Sequence, residues 1–184
     1  GMWALAGLLL SPERVLNMER DLQDPILRRA INAGLRVGTN DLARVLAQFA
    51  ANSAVSETLR AEALGALADW ESPSGRDRVL SLWRPVASRR DPRIAVEALQ
   101  PMLVGLLKDA PGAIRMAAIQ AVEKLRMADA DDTLEEIVAH DGAPGNARLA
   151  ALRALASLNS SRLPTAVEKA AASELSSLRN EATR

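Results

Sequence analysis

One nine-residue pattern, written three times, constrains this chain more than any other feature. It runs apolar-Arg-x-x-Ala-apolar-x-Ala-apolar. It is read from Leu59 to Leu67, again from Ile114 to Val122, and again from Ala147 to Leu155. Apolar residues spaced by three and four mark one face of an α-helix. In the stretch Ser56 to Trp70 that stripe is Leu59, Ala63, Leu67 and Trp70. The alanines and Gly65 between them allow a second helix to approach closely. A helix repeated along a chain buries its face against its own copies, so the pattern predicts stacked helices rather than a generic bundle.

The spacing supports a repeat. Taking the residue after the first apolar position in each candidate unit gives Arg28, Arg60, Ala95, Arg115 and Arg148, with steps of 32, 35, 20 and 33. Steps near 33 fit two short helices and two turns. The short one marks compression around Pro101 or a helix missing from a pair. Composition agrees. Of 184 residues 48% are apolar, mostly Ala and Leu, and only 2% are aromatic. These favour helix and leave few strand formers.

About eleven helices are expected. Ser11-Pro12-Glu13 starts a short one running to about Asp21, and Asp24-Pro25 opens the next. Thr39-Asn40-Asp41 caps a third. After the turn at Glu71 to Gly75, Val79, Leu80, Leu82 and Trp83 read as a helix, followed by an irregular connection from Arg84 to Arg90. A more polar helix from Pro164 to Leu178 precedes a fraying end. The apolar opening, Met2 to Leu10, is too short to span a bilayer and lacks the basic start of a signal peptide. It resembles the second helix of a repeat, and Gly1 reads as a scar of tag removal, so the chain is expected to be a piece of a longer one.

The turn-and-helix pattern, Asp-Pro or Pro-Gly and then the arginine helix, resembles HEAT-like repeats over nearly the whole chain. The stretch from Arg60 to Val79, with the Leu-Trp-Arg-Pro and Arg-Asp-Pro that follow, is similar to the helical segment of large secreted bacterial proteins described as haem-binding or membrane-bound dehydrogenases. That resemblance implies an all-α fold, a right-handed α-α superhelix of HEAT-like or armadillo-type pairs. Length and the pass along the chain give a single domain over 1–184: the end of an upstream repeat at 1–10, repeats at 11–160 and a capping helix and tail at 161–184. A periplasmic or secreted location follows from the resemblance alone. The propeller and cytochrome modules of such proteins have no counterpart here. No Cys-x-x-Cys-His is present, so no cofactor is expected.

Candidate chemistry is sparse. His140 is the only histidine and there is no cysteine, so a metal or acid–base role lacks partners. A capping or exposed place at a helix end suits it better. Asp129 to Asp132, with Glu135 and Glu136, read as acids at a helix start rather than a calcium loop. Trp83, Arg84, Arg89, Arg90 and Arg93, near Arg76 and Arg78, form the densest basic region and the candidate partner-binding residues. The ordinary reading has Trp83 anchoring the connection in the core. Arg28, Arg60, Arg115 and Arg148 are read as structural positions tying adjacent repeats. The function expected is a non-catalytic scaffold for protein or interdomain contacts. The alternative is a nucleic-acid-binding or DNA-repair domain using the region from Trp83 to Arg93. The zero net charge, 23 bases against 23 acids, counts against that alternative.

Overall fold

The computed structural model describes residues 1–86 and 88–183, without the side chains of Arg20 and Asp21. The last residue of the expected frayed end, Arg184, lies outside the described residues. The fold is all-α. Packing divides the chain into two compact units, Gly1–Met102 and Leu103–Arg184.

In the first unit the helices are α1 (Met2–Ala6), α2 (Glu13–Leu16), α3 (Arg20–Val37), α4 (Asn40–Ala51), α5 (Glu57–Ala68) and α6 (Arg93–Leu99). Helix α1 lies on α3, α3 on α5, and α4 on both α5 and α6. Two helix starts differ from expectation. Ser11 does not cap α2, whose N-cap is Pro12 with no side-chain bond. Helix α2 ends at Leu16, and the Gln23 amide donates to the carbonyls of Leu16 (2.9 Å) and Met18 (2.7 Å), closing the break. Helix α3 begins at Arg20, so Pro25 lies inside it, about a turn past the start, where its missing N–H costs one helical bond. The Thr39 cap is as read: its hydroxyl oxygen accepts from the Leu42 N–H. At the end of α3, Gly38 takes a left-handed conformation (φ 69°) and its N–H bonds back to Gly34.

The second unit holds α7 (Leu103–Lys108), α8 (Gly112–Leu125), α9 (Asp131–Ala139), α10 (Gly145–Ser157), α11 (Leu163–Ala171) and α12 (Ser176–Ala182). Here α7, α9 and α11 pack in one row and α8, α10 and α12 in another, each helix also lying on its chain neighbour in the other row. The polar helix expected from Pro164 to Leu178 is two helices. The Ser173 hydroxyl oxygen accepts from the Leu175 N–H (3.3 Å). Arg179 donates to the carbonyls of Ser173 and Glu174, both at 2.7 Å, which stabilises the break.

The repeated arginine does one job three times. Arg60 stands fourth in α5, Arg115 fourth in α8 and Arg148 fourth in α10. Its Nε–H donates to the second-last carbonyl of the helix just before: Ala50 at 2.8 Å, Leu107 at 2.7 Å and Val138 at 2.9 Å. The last four carbonyls of a helix have no intrahelical donor, so each arginine satisfies one of them and fixes the two helices of a pair together. Each tie joins a helix to the one just before it in the chain. Arg28 does not share it; its exposed guanidinium pairs with Glu62 at 3.4 Å.

Residues 71–92 are the main departure. The helix expected at Val79 to Trp83 is absent; the segment is a loop containing one antiparallel bridge, Arg76 to Trp83. Ala95 accordingly lies on α6, a helix that packs on α4, and is no counterpart of the arginines. Arg60 and Arg115 are 55 positions apart, 22 more than Arg115 and Arg148, and the stretch from 71 to 92 occupies 22 positions of that interval.

The Arg148 side chain is 3% exposed and also pairs with Asp141 at 2.9 Å. Arg148→Met keeps much of its apolar stem but leaves the Val138 carbonyl without this donor. The expected loss is about 1–3 kcal/mol in urea unfolding. A loss no larger than that of an exposed Arg153→Met control would remove the tie from the account.

Candidate functional site

The loop at residues 71–92 carries four of the five candidate residues, Arg93 standing at the start of α6, and its placement starts from two anchoring points. The first is Asp77, 4% exposed. Its Oδ1 accepts from the Val79 and Leu80 N–H groups at 2.9 and 2.8 Å. Its Oδ2 accepts from the Asn32 amide at 3.1 Å and faces Arg36 at 3.9 Å. Burial alone would raise this carboxyl. The bonds from Leu80, Val79 and Asn32, with the Arg36 charge, outweigh burial and hold it below the ordinary aspartate value.

The second point is Arg90. Its guanidinium donates to the Leu35 carbonyl and, at 3.0 Å, to that of Arg36, at the end of α3. It also lies 5.0 Å from the ring centre of the fully buried Trp70. Burial, with Arg36 adding, pushes its pKa below the ordinary arginine value. Gly38 makes room for it, since a Cβ there would stand 2.1 Å from the guanidinium carbon. Arg90 therefore does for α3 what the repeated arginines do for α4, α7 and α9, but from a loop.

Between these points the chain turns back on itself. The Asp77 N–H donates to Leu82 (2.8 Å), the Ser81 N–H to Asp77 (2.9 Å) and the Arg84 N–H to Gly75 (2.6 Å). Ser81 has φ 56°. Arg76 donates to the Ser81 carbonyl at 2.7 Å. The Trp83 ring covers Gly75, where a Cβ would meet it at 2.7 Å. Yet Trp83 is 71% exposed, Leu82 51% and Leu80 48%. The expectation that Trp83 anchors the loop in the core is overturned. The anchor is Trp70, and Trp83 stands at the tip.

The five candidate residues therefore separate. Trp83 is exposed, Arg90 is engaged with the end of α3, and Arg89 pairs with Glu71 at 3.4 Å; the nearby Arg78 pairs with Asp69. Arg84 and Arg93 are exposed and make no side-chain ion pair among the described residues. Sequence reasoning missed Asn32, and gave Asp77 no role beyond a local partner of the nearby arginines and Gly38 none beyond a helix end.

A concavity of about 580 Å³ lies in the second unit against α7 and α9. Leu107, Ile137 and Pro144 line it, with Lys108, His140 and Lys169. Its charges are engaged: Lys108 pairs with Glu136, and Lys169 with Glu135 at 2.7 Å. His140 is the exposed C-cap of α9. The remaining acids of α9 are also tied, Asp132 to Arg162 at 2.7 Å and Asp131 to the Ser160 hydroxyl. Among the described residues no group of three or more His, Asp or Glu is placed to hold a metal ion. Nor is any helix among them long and apolar enough to cross a membrane.

A folded-state pKa below the unfolded one means the Asp77 contribution is full above the unfolded value and lost as pH falls through the folded one. Acid unfolding below about pH 4 should therefore lose its Asp77 component in Asp77→Asn. That variant should be less stable at neutral pH, with a flatter acid limb followed by circular dichroism. Parallel acid limbs in the two proteins would contradict it.

The chain matches no family model and no curated protein.

Proposed function

We propose that the chain is a non-catalytic scaffold of HEAT-like helix pairs, an α-α superhelix that presents surface for protein or interdomain contacts. The observation that carries this reading is the arginine tie at Arg60, Arg115 and Arg148, the same bond at the same helix position in three pairs. A unit repeated with its joint intact is how helical arrays build extended surfaces. The resemblance to the repeat segment of secreted haem-binding or dehydrogenase proteins gives it a place as an accessory segment of a larger chain.

The nucleic-acid reading draws on one observation, an exposed Trp83 beside the exposed Arg84, since tryptophan stacks on bases and arginine pairs with phosphate. Against it stand Arg90 and Arg89, already engaged within the protein. Fluorescence polarisation with short single- and double-stranded DNA, at low and physiological salt, separates the two. The scaffold reading predicts no tight binding even at low salt, where nonspecific attraction is strongest. Tight, salt-dependent binding that falls when Arg84 and Arg89 become Ala would replace it.

A further inference from the structure

The tip of the 71–92 loop combines three properties. Its backbone is held, because Asp77 accepts two amides of the turn and is itself buried against Asn32 and Arg36. Three of its large apolar side chains, Leu80, Leu82 and Trp83, are exposed. Cations flank them: Arg76 bonds only to a turn carbonyl, and Arg84 is unpaired among the described residues. The surrounding charge is one-sided as well. Residues 69–93 hold six arginines against Asp69, Glu71, Asp77 and Asp91, an excess of +2, so the rest of this neutral chain carries −2.

Each property narrows the occupant. A nucleic acid rewards the indole and the guanidiniums, but the two leucines offer a base no π face to stack on. A lipid–water boundary accepts all of them. Aliphatic side chains enter below the headgroups, an indole settles at headgroup level, and arginines meet lipid phosphates. A protruding tip also needs no matching pocket on a fluid surface, and the charge asymmetry turns this end of the first unit toward a negative one.

We propose that the 75–84 turn docks on anionic lipid, with Leu80, Leu82 and Trp83 seated in the headgroup region and Arg76 and Arg84 on phosphates. This is attachment to a surface, not a crossing of it. It is independent of the scaffold reading, and either can fail without the other.

The test is co-sedimentation of the full chain with vesicles of phosphatidylcholine and phosphatidylserine in equal parts, and with phosphatidylcholine alone. The expected result is binding to the anionic vesicles that weakens with salt. Trp83→Ala should reduce it roughly tenfold or more, and Arg84→Glu by a similar factor of about ten or more. Trp3→Ala, a second exposed tryptophan in the same unit, should leave it unchanged. Both loop positions are exposed, so unchanged circular dichroism melts are expected and show that a loss of binding is not unfolding. Absence of binding, binding indifferent to lipid charge, or full binding by Trp83→Ala would overturn the proposal. Binding of single-stranded DNA at physiological salt with none to vesicles would assign the tip to nucleic acid instead.

Discussion

A helix ends with four carbonyls that its own backbone cannot satisfy, and in short helices these ends are a large share of the structure. Here an arginine from the next helix reaches back to the second-last carbonyl. It does so at Ala50, Leu107 and Val138. The planar guanidinium has donors to spare for this: Arg115 adds the Lys108 carbonyl at 2.8 Å, and Arg148 adds Asp141. Buried stems fill the space between helices while the heads satisfy the ends. The apolar stripe says which faces meet; the arginine sets where along the helices they meet.

The same requirement bears on the 71–92 loop. Helix α3 needs its final carbonyls satisfied too, but the fourth residue of the helix that follows it is Ala43, and Arg28, on α3 itself, pairs with Glu62. Burial raises the Glu62 carboxyl, an effect that Arg28 and Arg78 oppose. Arg90 supplies the missing donors from 54 and 55 positions away, packed over Trp70. The loop is thus part of the first unit's framework at its root and free at its tip. A loop fixed by Asp77 and Arg90 can hold leucine and tryptophan side chains out in solvent without collapsing onto the core.

How much of this was legible in the sequence follows from the range of each interaction. The all-α class, the Thr39 cap, the bounds of α5 to within two residues and the register of Arg60, Arg115 and Arg148 are written in local spacing. The 71–92 loop is not. Val79, Leu80, Leu82 and Trp83 have apolar spacing compatible with a helical face, yet the chain there is a turn whose Asp77 is bonded to Asn32, 45 positions away. Hydrophobicity says equally little about which tryptophan is buried. Trp70 follows directly on α5 and is covered, whereas Trp83 sits on a turn held away from the core.

The most direct measurement is the solvent exchange of the arginine Nε–H groups by NMR. If the ties organise the pairs, the signals of Arg60, Arg115 and Arg148 exchange much more slowly than those of Arg84 and Arg93, and speed up together only as the protein unfolds. Equal, fast exchange at all five positions would show that no such bond holds the helices, and the account of the repeat would fail with it.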